Sequence, residues 1–132
     1  MIYFFPSIKL LVELHNVARS KKLLFALKPL IFNDDLMKYA QLWSDTMSKE
    51  ETLKHGDMPM PNILKTEHKY YAENIAMGQH NEKDVMASWM SSPKHRANIL
   101  NRHFNSIGAA FSYSKQDQIY WCVCFGSGTS KK

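Results

Sequence analysis

Three short stretches decide how this chain is read: Ala72-Glu73-Asn74-Ile75-Ala76-Met77-Gly78, then Ala87-Ser88-Trp89-Met90-Ser91-Ser92-Pro93, then His95-Arg96-Ala97-Asn98-Ile99-Leu100. The first belongs to a predicted strand, Tyr70 to Ala76, whose apolar run is interrupted by the carboxylate Glu73. The second ends a predicted helix capped by Asn81, with Asp84 at the capping-box position and Val85, Met86 and Trp89 on its apolar side. The third opens a short helix carrying His95 and Ile99, because Pro93 suits the first helical position behind a Ser92 cap.

Upstream, Ser7 caps a helix to about Ser20, with Ile8, Leu11, Val12 and His15 at helical spacing. Lys21 to Ala26 reads as a connector and Leu27 to Phe32 as a strand that Pro29 confines to a sheet edge or strand start. Asn33 caps a second helix ending near Glu51, with Asp34 and Asp35 in its first turn and Leu36, Tyr39, Ala40, Trp43 and Met47 on one stripe. A long loop, Thr52 to Lys69, is a functional suspect by its length. Downstream, Ile107 to Tyr113 and Ile119 to Phe125 read as strands joined by the polar turn Ser114 to Gln118, with Gly108 permitting close packing and Gly126 starting a tail. The pattern is α+β and one domain, 1–132, with its core in about 8–126.

The chain has 132 residues, 45% of them hydrophobic, and a net charge of +5. A core is feasible and disorder is excluded. The basic pairs Lys21–Lys22 and Lys131–Lys132 form no stripe interleaved with aromatics, so no nucleic-acid partner is expected. No transmembrane run exists, and the apolar Met1 to Ile8 lacks the features of a signal peptide, so a cytoplasmic protein and one whose leader has been removed are both open. Cys122 and Cys124 alternate on one strand face, a poor geometry for a disulfide, and read as two small apolar strand residues rather than a metal or redox pair. Life without disulfides fits a bacterial or intracellular origin.

Three polar residues stand out: His55 in the long loop, Glu73 in the strand and His95 in the last helix. Two imidazoles and a carboxylate suit a divalent metal such as zinc, or acid–base work. Spacing alone favours the plainer alternative of three separately bonded residues, since no compact ligand motif links them. His15 reads as a core histidine with a satisfied ring; His68, His80 and His103 read as solvated. Ser91 or Ser92 beside His95 is no nucleophile pair, because no Asp orients the ring and a Ser before Pro is better explained as a cap.

The three stretches together resemble the signature of bacterial members of the CAP superfamily (cysteine-rich secretory, antigen 5 and pathogenesis-related proteins): a Gly-Glu-Asn strand, a Trp-bearing helix and a Ser-Pro-x-His-Arg-x-x-Ile-Leu turn. Phe104, Ile107-Gly108 and Tyr120-Trp121 continue the pattern, and Leu14-His15-Asn16 through Arg19, Leu30 and Leu36 match upstream, so the resemblance spans roughly residues 8 to 126. Ala72 stands where the family usually has Gly, which costs little if the backbone there is ordinary β.

The resemblance implies a three-layer α-β-α sandwich around a small antiparallel sheet, with a cleft lined by two His and two acids. These positions fall on His55, His95 and Glu73; the second acid, three residues after the helix Trp, falls on Ser92. The family's paired His can bind zinc, and some members bind sterols or fatty acids, while no general enzymatic activity follows from membership. The expectation is therefore a monomeric, noncatalytic, secreted or surface binding module for a ligand, lipid or partner protein, requiring no cofactor, with zinc at His55 and His95 allowed. The alternative is a metal-dependent peptidase or esterase in which Glu73 handles a water.

Overall fold

The computed structural model describes residues 5–21, 27–58 and 63–128. In chain order the elements are α1 (Ile8–Ser20), β1 (Ile31–Phe32), α2 (Asp34–Glu50), β2 (Tyr71–Met77), α3 (Glu82–Met90), α4 (Pro93–Ile99), β3 (Ser106–Tyr113) and β4 (Ile119–Gly126). Ser7, Asn33 and Asn81 cap α1, α2 and α3 by accepting from the backbone N–H of Leu10, Leu36 and Asp84.

The strands form one sheet in the order β1-β3-β4-β2. β3 pairs antiparallel with β4, and β4 with β2. β1 joins β3 in parallel, so the sheet is mixed at that edge rather than wholly antiparallel. Only Ile31–Phe32 of the expected Leu27–Phe32 run is strand, consistent with Pro29 lacking the N–H a ladder needs. At the other end β4 extends through Gly126, which pairs with both Tyr71 and Ser106 and so is no part of a tail. The connector positions 22–26, the Pro59–Pro61 part of the loop and the last four residues lie outside the described residues.

Side chains alternate across the strands and fill two cores. One face buries Trp121, Val123 and Phe125 of β4 against Leu11 and Val12 of α1, Val85 and Trp89 of α3 and Ile99 of α4. The opposite face buries Tyr120, Cys122 and Cys124 against Leu36, Tyr39, Ala40 and Met47 of α2. Three layers result: α1, α3 and α4 on one side, α2 on the other. Gly108 sets the α2 spacing, since a Cβ there would lie 2.1 Å from the Leu36 carbonyl carbon. Ala72 lies within β2, and only Glu51 and Asp117 among the described non-glycine residues have positive φ, so its methyl is carried without backbone strain.

Two histidines depart from expectation. His68 is buried, not solvated: its ring packs edge-on to Tyr71, and a Cβ at Gly126 or Gly128 would strike it at 2.3 or 2.5 Å. His15 is fully buried as expected, but its ring is only half satisfied. Nδ1 bonds the Leu11 carbonyl at 2.8 Å, whereas Nε2 has no partner among the described residues.

Candidate functional site

β2 is the outermost strand, and its free edge is covered by the helices that follow it in the chain. Trp89 Nε1 donates to the Ile75 carbonyl at 3.0 Å. Asn74, fully buried, donates to the His95 carbonyl at 3.1 Å and accepts from Asn98 Nδ2 at 2.8 Å. Asn74 therefore fixes α4, and with it His95, against the strand that carries Glu73. Asn74→Ala removes two bonds made by a buried side chain to half-buried groups and is expected to cost about 2 kcal/mol in urea unfolding. An unchanged unfolding midpoint would refute that role.

Glu73 points to the α2 face, and its side chain is 7% exposed while that of His55 is 64% exposed. Its Oε2 accepts from the Tyr39 hydroxyl at 2.7 Å. Its Oε1 accepts from Gly56 N–H at 3.0 Å and meets His55 Nδ1 at 2.8 Å. An ionised carboxylate only accepts, so Nδ1 of His55 carries the proton and Nε2 faces away from Glu73. The loop bearing His55 is further held by Trp43, whose indole N–H donates to the Lys54 carbonyl at 2.7 Å and whose ring stacks on Tyr39. Gly56 is needed at this approach, because a Cβ there would come within 1.9 Å of the Tyr39 hydroxyl oxygen.

Ser92 stands at the N-cap of α4 but makes no capping bond. Its hydroxyl instead lies 2.8 Å from His95 Nδ1. The residue read as a cap is thus a partner of the imidazole, occupying the place where an acid was expected from the resemblance. Burial lowers the pKa of His95, and the charge of nearby His55 lowers it further. Burial, reinforced by the Glu73 carboxylate, pushes the Tyr39 hydroxyl far above its ordinary value, so it remains a donor.

The four sequence candidates fall into two neighbouring pairs, His55 with Glu73 and His95 with Ser92. His55 and Glu73 line an open pocket of about 180 Å³ with Gly56, Met58, Tyr71 and Ala72. His95 lies beyond that lining. Neither Nε2 bonds a protein group among the described residues. Both rings therefore offer the same nitrogen outward, each oriented through Nδ1 by a second residue, the arrangement that imidazole ligands of metals adopt. Sequence reasoning missed Tyr39 and Gly56 as parts of the site. The available signals were a phenol within a buried stripe, which needs a partner for its hydroxyl, and a glycine directly after His55.

Comparison with known proteins places these observations in context. The model of the cysteine-rich secretory protein family, CAP, matches residues 12–125. The uncharacterized protein YkwD of Bacillus subtilis is 35% identical over 109 residues, which make up 78% of this chain and 41% of that protein. The chain thus spans less than half the length of this relative. Among solved structures, an outer surface protein from Borrelia burgdorferi superposes with a TM-score of 0.80 at 24% identity, covering 92% of each chain. An extracellular protein containing a SCP domain from Bacillus anthracis superposes with a TM-score of 0.74 at 21% identity, covering 89% of this chain and 39% of that one.

Proposed function

From the premise that this chain belongs to the CAP family of cysteine-rich secretory proteins, we propose that it is a noncatalytic binding module working outside the cell or at its surface. The single observation that carries this reading is the state of Glu73. Both of its oxygens are already engaged, by Tyr39, Gly56 and His55, so it serves as the support of an imidazole rather than as a free general base. With Ser92 in place of a second acid, no other carboxylate belongs to the set. Two outward Nε2 atoms suit a divalent cation such as zinc, with His55 and His95 as its holders and Glu73 and Ser92 as their orienters. Such a cation would supply a positive centre for anionic or carbonyl groups of a ligand.

A lipid ligand is supported by a groove of about 600 Å³ between α1, α3 and α4, where Leu14, Met86, Met90 and Leu100 lie beside Lys21 and Arg96. This is suitable chemistry for an acyl chain with an acidic head. The relatives described as extracellular or as outer surface proteins support the location.

Calorimetry tests the reading. Zinc binding is expected, with one binding event lost in the His55→Ala, His95→Ala double variant, and single-chain anionic lipids are expected to bind at least as well as neutral ones. Zinc-stimulated peptidase or esterase activity that vanishes in His95→Ala would replace this reading with a metal-dependent hydrolase.

A further inference from the structure

Beneath the His55–Glu73 pocket lie two thiols that the cleft leaves without a role. Cys122 and Cys124 are alternate residues of β4, so both side chains face α2. The strand register sets Glu73 directly opposite Cys124 and Ile75 opposite Cys122. Both thiols are free and fully buried, with their sulfurs 3.7 Å apart. A carboxylate oxygen of Glu73 and the two sulfurs all lie within 4.8 Å of one another, and among the described residues this is the one such gathering of three ligating groups.

The spacing favours a shared cation over a bond between the sulfurs. A tetrahedral ion holding two thiolates at about 2.3 Å keeps the sulfurs about 3.8 Å apart, whereas a disulfide requires about 2.05 Å. Two thiolates and a carboxylate form a donor set of the zinc class. Glu73 links the two environments, since it lines the open pocket and also lies within 4.8 Å of both thiols. We propose that Cys122, Cys124 and Glu73 form a buried binding site for a thiophilic divalent cation, separate from the outward imidazoles and sharing only Glu73 with them.

Burial holds both thiols protonated. Occupation therefore releases two protons to solvent, one from each sulfur, and each sulfur donates a lone pair to the ion with no change of oxidation state. Oε1 of Glu73 already accepts from Gly56 and His55 and Oε2 from Tyr39 alone, so the lone pair left for the ion is on Oε2, beside the Tyr39 bond. The proposal goes beyond the module described above and stands independently of zinc at His55 and His95.

The test is a cadmium(II) titration of the reduced 132-residue chain, followed by ultraviolet absorption. These are the only two cysteines in the chain, so any sulfur-to-cadmium charge-transfer band reports on them. The band is expected to saturate at one equivalent per chain in a monomer, to be bleached by excess zinc, and to persist in the His55→Ala, His95→Ala variant. Glu73→Gln is expected to weaken cadmium at least tenfold. No band in the folded wild-type chain at saturating cadmium overturns the proposal. So does saturation at half an equivalent, which would mean two chains sharing one ion. Loss of the band in the double-histidine variant overturns the separateness of the site, and equal affinity in Glu73→Gln removes the carboxylate from it. A zinc binding event lost in the histidine variant while the band stays intact supports both sites; an intact band with no such loss sinks only the imidazole reading.

Discussion

Arg19→Ala is expected to lower the unfolding free energy by about 4 kcal/mol, the largest effect of any single substitution considered for this protein. Arg19 is fully buried near the end of α1. Its guanidinium donates four bonds of 2.9 Å, to the carbonyls of Lys28, Ile99, Asn101 and Phe104. These acceptors lie just before β1, at the last residue of α4 and along the approach to β3, so one side chain ties four parts of the chain together. Three of them, those of Ile99, Asn101 and Phe104, lie at or beyond the C-terminus of α4, where a positive charge is also favoured by the helix dipole. No carboxylate is among the partners; the charge is stabilised by carbonyl dipoles alone, and burial draws the Arg19 pKa below its ordinary value. Removing the guanidinium takes the donor from the buried Ile99 and Phe104 carbonyls, and from the half-buried Lys28 and Asn101 carbonyls, and opens a void beside them. Arg19→Met separates the two effects, since it refills the volume without restoring a donor, and it should recover less than half of the loss. Arg19→Lys should remain destabilised because a single ammonium cannot reproduce the planar fork. Urea unfolding provides the measurement, and an unchanged midpoint for Arg19→Ala would sink the account.

Acid is expected to remove about 3 kcal/mol of stability between pH 6.5 and 4 through His15 alone. Burial is the main cause that lowers its pKa from 6.5 to about 4; the bond to the Leu11 carbonyl opposes this, and the charge of Arg19 adds to it. The ring sits between Trp89 and Phe125, and its second nitrogen has no partner among the described residues. Because the folded-state pKa is depressed, the unfolded chain takes up this proton first as pH falls. The contribution is therefore complete above the ordinary value of 6.5 and is lost progressively as the pH drops through 4. Burial lowers the pKa of His68 and His95 as well, so they act with the same sign. His15→Phe should flatten the slope of unfolding free energy against pH over that window. Since the variant also changes packing, an NMR titration of the wild-type ring serves as the second measurement. A His15 ring that protonates near 6.5 in the folded protein would contradict the prediction.

Much of the architecture was legible because local rules and the apolar pattern agreed. The caps Ser7, Asn33 and Asn81 sit where short polar side chains precede apolar periods. Of the stripe Leu36, Tyr39, Ala40, Trp43 and Met47, all are buried but Trp43, which is half-buried at the edge of the core. Gly108 performs the close approach expected of it. The misreadings share a different physics. Ser92 has every local mark of a cap, yet the ring of His95 outcompetes the backbone for its hydroxyl. His68 lies in a polar run and is buried only because Gly126 and Gly128, far along the chain, leave room for its ring. Arg19 matched the family pattern, but nothing in its neighbourhood signals that its four acceptors come from 9 to 85 residues away.

The candidate site divides in the same way. His55, Glu73 and His95 were identifiable as residues, and the resemblance carried by Ala72 to Leu100 named the fold around them. Periodicity, caps and short motifs are local, so the order of residues placed most of the elements, while the resemblance those motifs carry implied the layers and the family. Which atom each side chain offers was decided only in three dimensions. The turning of Nδ1 of His55 toward Glu73, the use of Ser92 as an imidazole partner, and the gathering of two core thiols beside a cleft carboxylate all depend on contacts between distant segments. Those contacts exist only after β2 pairs with β4 and α2 closes over them, because hydrogen bonds and coordination depend on ångström-scale distances that sequence spacing does not encode.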